Sequence, residues 1–67
     1  MLNLMVNGKP FHAAEPLWVT ALLLRLQCDP ARVAVEHNGN ILQREHFATT
    51  QLADGDRLEI VQFVGGG

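Results

Sequence analysis

An α+β fold, with one main helix packed on one face of a mixed sheet of four to five strands, is predicted for this 67-residue chain by three observations. Leu2, Leu4 and Val6 near the start, and Leu58 and Ile60 near the end, recur every second residue, the period of a strand with one buried face. Val19, Leu22, Leu23 and Leu26 recur at i, i+3, i+4 and i+7, the stripe that a helix lays against a sheet. Asn7-Gly8 and Asn38-Gly39 supply tight-turn pairs in which both residues tolerate positive φ.

In chain order, Leu2 to Asn7 reads as a first strand, and Asn7-Gly8 turns it into a short returning strand over Pro10 to Ala13, with Pro10 tolerable at its start or on an edge. Glu15-Pro16 opens the helix, because a proline in the first turn lacks only an N–H that is not needed there and the acid complements the helix dipole. The helix runs to about Gln27, leaving Leu17 and Leu24 off the packed face; Trp18 either covers a core edge or joins them in an apolar patch. Asp29-Pro30 ends it, and Val33 to His37 forms the next strand. Asn38-Gly39-Asn40 turns into a short partner strand beginning at Ile41-Leu42, and Arg44 to Phe47 makes an irregular or 3₁₀ turn with Phe47 inward. After the Asp54-Gly55-Asp56 turn, Arg57 to Val64 is the final strand. Strand, strand, helix, strand, short strand, strand, with the helix on one face, is the β-grasp arrangement. Residues 1–64 form this domain and residues 65–67 a flexible glycine tail.

A domain this small buries only about 60% of its unfolded surface, which leaves no room for a deep catalytic cleft and favours a substrate or binding module over an enzyme. Five basic residues scattered in a chain of net charge −2 make no basic stripe, so nucleic acid is not an expected partner. The longest purely apolar run, Ala21 to Leu24, is far too short to cross a bilayer, and the alternating start is unlike a secretory signal. A single cysteine, Cys28, permits no internal disulfide and fits a reducing cytoplasm. His12, His37 and His46 stand far apart without ligand spacing, so no metal site is expected, and Cys28 reads as an inert thiol. Arg44, Glu45 and Glu36 are candidates for a surface ion pair or for steering a partner, without chemistry of their own.

The ending concentrates what chemistry the chain has. Gly65, Gly66 and Gly67 carry no Cβ, so they form a thin tail that a narrow enzyme channel can accept, tipped by one reactive group, the terminal carboxylate. At about 3.3–3.6 Å per residue the glycines reach only about 10 Å, so the folded body must dock beside any enzyme that uses them. With Leu58 and Ile60 facing the helix, Val61 and Phe63 project from the opposite side of the sheet just before the tail, and Met5 shares that face if the first strand lies alongside. These three residues are the expected docking surface; the alternative is a short sheet that merely exposes a few apolar side chains.

Leu2-Asn3-Leu4-Met5-Val6-Asn7-Gly8-Lys9, Val35-Glu36-His37-Asn38-Gly39-Asn40-Ile41, Arg44-Glu45, Leu52-Ala53-Asp54-Gly55-Asp56-Arg57-Leu58-Glu59-Ile60 and the ending Val61-Gln62-Phe63-Val64-Gly65-Gly66-Gly67 together resemble the ThiS family of ubiquitin-like sulfur carriers in thiamin biosynthesis. The resemblance implies that Gly67 is adenylated by an ATP-dependent adenylyltransferase and converted to a thiocarboxylate with a sulfur-donating enzyme. The sulfur then passes to thiazole synthase for the thiazole ring. ATP and magnesium would be held by the activating partner, with no cofactor and no catalytic residue in this chain. The third glycine, Gly65, extends the minimal Gly-Gly ending, and Glu15-Pro16-Leu17-Trp18 lacks the usual small hydroxyl or acidic helix cap. A related carrier for molybdopterin synthesis, a modifier conjugated to lysine, and a β-grasp adaptor with a dispensable tail are the alternatives.

Overall fold

The computed structural model describes residues 1–64. Five strands form one sheet: β1 (Leu2–Val6), β2 (Lys9–Ala13), β3 (Val33–His37), β4 (Asn40–Leu42) and β5 (Arg57–Gln62). Their order is β2-β1-β5-β3-β4, with β1 and β5 parallel and the other neighbours antiparallel. The single α-helix, α1 (Val19–Arg25), packs on one face, and 3₁₀ turns occupy Pro30–Arg32 and Arg44–His46. This is the expected β-grasp arrangement.

Both Asn-Gly turns form as their chemistry requires. Asn7 and Gly8 have φ of 50° and 79°, and Asn38 and Gly39 have 51° and 86°, the paired positive values that match the twist of a hairpin. The alternation holds as well: Leu2, Leu4 and Val6 of β1 and Leu58 and Ile60 of β5 are buried against Val19, Leu22 and Leu23 of α1. Each such side chain contributes about 1.5–3 kcal/mol by leaving water, which makes this layer the main source of stability. Phe47 turns inward to the same core, as anticipated.

The helix start differs from the expected one. Glu15-Pro16, joined by a cis peptide bond, lies outside the helix, and Trp18 is the extended N-cap with no side-chain cap hydrogen bond. The segment 47–52 supplies the caps instead: Val19 N–H donates to Thr50 C=O at 3.0 Å and Thr20 N–H to Phe47 C=O at 3.2 Å. These carbonyls satisfy helix N–H groups that lack an internal partner, so no capping side chain is needed. Leu52 N–H also donates to Leu17 C=O at 2.8 Å, and Trp18 forms a bridge with Gln51. Held extended in this way, Leu17 is buried in the core, contrary to the helical projection, while Trp18 and Leu24 remain exposed.

The helix ends one residue or so earlier than its apolar stripe suggests. Gln27 adopts φ of 59°, Cys28 N–H donates to Leu23 C=O at 2.9 Å, and Gln27 N–H donates to Leu24 C=O at 3.0 Å. That pair of bonds is the Schellman closure, with glutamine in the left-handed position that glycine normally fills.

β5 ends at Gln62 instead of Val64. Its antiparallel partner β3 starts at Val33, and the last bond across that pair is Phe63 N–H to Arg32 C=O at 2.7 Å, so Val64 has left the ladder and is exposed. Arg44 does not pair with Glu45 or Glu36; its Nε donates to Pro30 C=O at 3.2 Å, tying the two 3₁₀ turns together.

Candidate functional site

The face of the sheet turned away from α1 is set by the register of β5. Arg57, Glu59 and Val61 point outward between Leu58 and Ile60, which point in. Across β3, Val61 is opposite Ala34 and Glu59 is opposite Glu36; across β4, Glu36 is opposite Ile41. Val61, Phe63 and Ile41 are 59%, 56% and 66% exposed, large apolar side chains that the fold leaves uncovered on or beside this face. Ile41 was not anticipated in this surface. Its signal was the alternation with Leu42, whose pairing with Val35 directs it toward the core and Ile41 away from it.

Met5 shares the outer face, as expected, but it lies opposite Arg57, four positions before Val61. At about 3.3 Å per residue, roughly 13 Å separates these positions along the sheet. Val61 and Phe63 therefore stand where the chain leaves the sheet, whereas Met5, half-buried, stands beside Arg57 at the far end of the face, with Glu59 between. Glu36 and Glu59 form a cross-strand pair of like charge, an unfavourable neighbour relation that a cation from outside would relieve. Neither is in a salt bridge among the described residues.

Two of the three histidines, His12 and His37, serve as fasteners. His12 Nδ1 lies 2.8 Å from Asn3 Oδ1, and Asn3 in turn donates its backbone and side-chain N–H to Asp54 Oδ1 at 2.7 and 3.1 Å. His37 Nε2 lies 2.8 Å from Asp56 Oδ2, which also accepts from Ala53 N–H at 2.8 Å, while Asn38 Nδ2 donates to Asp56 Oδ1 at 3.0 Å. His46 is exposed on its 3₁₀ turn. Among the described residues no three His, Cys, Asp or Glu side chains gather as a metal site would require. Cys28 is half-buried.

Burial is the largest single influence on the Asp56 carboxyl and pushes its pKa up, but the hydrogen bonds from Ala53, His37 and Asn38, with the His37 charge, outweigh it and the net shift is below the ordinary value of 3.8. The ionised carboxylate is thus favoured by folding. Its contribution is fully present above the unfolded-state pKa of about 3.9 and is lost as pH falls through the lower folded-state value. Urea midpoints should therefore fall on acidification from pH 5 to pH 2, and Asp56→Asn should show a weaker dependence over that window. At pH 7 the same substitution should cost about 1–3 kcal/mol, because the Ala53 N–H and His37 lose a charged acceptor.

Gly65, Gly66 and Gly67 lie outside the described residues. What the structure fixes is their point of departure: the Phe63–Arg32 backbone bond holds the chain to the sheet immediately before the tail, beside Val61.

The sequence model of the ThiS family matches residues 4–67, the whole body and the glycine ending together. The sulfur carrier protein ThiS of Bacillus subtilis is 44% identical over 65 residues, spanning 96% of this chain and 98% of that protein. A thiazole synthase of Paramagnetospirillum magneticum is 41% identical over 66 residues, 98% of this chain but only 20% of the enzyme's length. The crystal structure of the thiamine biosynthesis protein ThiS from Geobacter metallireducens superposes with a TM-score of 0.82 at 48% identity, covering 98% of this chain and all of that one. On its fold and over nearly its full length, the chain belongs to the ThiS family.

Proposed function

We propose that the chain is a sulfur carrier for thiamin biosynthesis, loaded and unloaded at Gly67 by partner enzymes. The observation that carries this reading is the family match through residue 67, which joins a bare carboxylate tail to a β-grasp body in one unit. A free carboxylate resists nucleophiles because its charge is delocalised and repulsive. Attack of the Gly67 carboxylate on the α-phosphorus of ATP, in an adenylyltransferase that also holds magnesium, expels pyrophosphate and leaves an acyl adenylate. Hydrosulfide, delivered by a sulfur-donating enzyme, then attacks the carbonyl carbon and expels AMP, leaving a thiocarboxylate. A side chain at position 66 or 67 would crowd that approach, so Gly66 and Gly67 keep it open, and Gly65 lengthens the thin segment. The carrier contributes no general base; it is the nucleophile-bearing substrate.

Thiazole synthase is the proposed recipient, a reading supported by the matching segment within the Paramagnetospirillum thiazole synthase. Docking of either enzyme would use Val61 and Phe63 beside the tail, with Met5 at the outer limit of the same face. Lysine or arginine on the partner would meet Glu36 and Glu59.

Intact-mass measurement tests the central step. Incubation with the activating enzyme, ATP and a sulfur source should exchange one oxygen for one sulfur at Gly67. An unchanged mass, or undiminished sulfur transfer after deletion of Gly67, would overturn the carrier reading.

A further inference from the structure

β5 has an unfilled edge beside its exit to the tail. Odd-numbered residues of β5 turn their backbone groups to the β3 side: Arg57 C=O accepts from Asn38 N–H at 2.8 Å and Phe63 N–H donates to Arg32 C=O at 2.7 Å. Even-numbered positions turn theirs to β1, where Asp56 C=O accepts from Met5 N–H at 3.0 Å and Leu58 C=O accepts from Asn7 N–H at 2.9 Å. At Ile60 the partner is already a side chain, because the chain reverses at Asn7-Gly8. The Asn7 amide accepts from Ile60 N–H at 2.6 Å and donates to Ile60 C=O at 3.1 Å, imitating one more strand residue. Two residues on, the N–H and C=O of Gln62 face the same way with no strand of the described residues opposite them, and Gln62 is exposed.

A cavity of about 500 Å³ adjoins this edge, with Val6, Phe11, Leu26 and Ile60 among its walls and Lys9 and Gln62 also lining it. Lys9 is in no salt bridge among the described residues. A backbone donor and acceptor set two residues beyond the last filled ladder position, beside an apolar hollow, are the two parts of strand-addition recognition: main-chain bonds supply affinity and the hollow selects a side chain.

We propose that this notch receives an extended segment of the activating enzyme, added to β5 on the β1 side, with one bulky apolar side chain in the hollow and an acidic residue beside Lys9. The assignment of the occupant rests on the carrier reading above. The added strand replaces the stretch of β1 removed by the Asn7-Gly8 turn, and it holds the chain extended as it enters the tail.

Gln62→Pro provides the test, since it deletes only the outward-facing N–H and leaves the backbone groups of Val61 and Phe63 for β3; Gln62→Ala retains that N–H. Binding to the activating enzyme is measured by calorimetry, with Gly67 conversion followed by mass in the same samples and folding checked by thermal melting. Gln62→Pro should weaken binding about three- to ten-fold, the effect of one net hydrogen bond, and Gln62→Ala should not. Cys28 also lines the hollow; Cys28→Leu, which fills it from that wall, should also weaken binding, and amide exchange at Gln62 should slow when enzyme is added to the wild-type chain. Unchanged affinity of a folded Gln62→Pro protein together with unprotected Gln62 overturns the notch, while conversion of the wild-type chain in that experiment leaves the carrier reading standing. Protection of Gln62 by self-association alone, without enzyme, overturns the choice of occupant.

Discussion

Leu58→Ala should lower the unfolding free energy by about 2–5 kcal/mol, the range for emptying a leucine site in a packed core. Leu58 is fully buried on β5, the strand that joins the β1–β2 and β3–β4 pairs into one sheet. A domain of this size has about 3–5 kcal/mol to lose, so the variant should be extensively unfolded at 25 °C in buffer, as judged by circular dichroism and the urea midpoint. Leu24→Ala is the matched control. Leu24 is 61% exposed on the same kind of side chain, and its loss should change stability by no more than about 0.5 kcal/mol. Equal effects at the two positions would mean that β5 does not hold the core together as described.

Phe63→Asp should reduce kcat/KM for activation by about 30-fold or more while the melting temperature stays near that of the parent. The size follows from an aromatic anchor at a protein interface, where truncation costs at least about 2 kcal/mol, here compounded by a buried charge. Phe63 can be changed without harm to the body because it lies outside the core, one residue beyond β5, with only its backbone N–H engaged. Met5→Ala should have a much smaller effect, since Met5 stands at the opposite end of the face. An activation rate for Phe63→Asp within two-fold of the parent would remove the outer face from the docking scheme.

The strands were legible because their causes are local. Alternation and Asn-Gly turns lie within a few residues of what they determine, and β3 was read with its observed limits. The helix start was not legible, because the carbonyls that cap it come from Phe47 and Thr50, and the burial of Leu17 depends on a contact with Leu52. The end of β5 was likewise decided elsewhere, by where β3 begins. For the candidate site, the outward direction of Val61 and Phe63 followed from period two alone. The distance of Met5 from them, the facing of Glu36 and Glu59, the place of Ile41 and the open edge at Gln62 all depend on register between strands distant in sequence. Gly65, Gly66 and Gly67 were legible as a motif by composition, and their part in the scheme rests on chemistry and family.

The parallel pairing of β1 with β5 places Met5 beside Arg57, so Leu2 lies before the start of β5 while Val64 lies beyond its end. The two ends of the body are consequently at opposite poles, separated by roughly ten strand residues, or about 33 Å. A purification handle or a whole additional domain attached ahead of Leu2 would hang from the pole remote from the carboxylate, and an N-terminal fusion should load with sulfur as readily as the chain by itself.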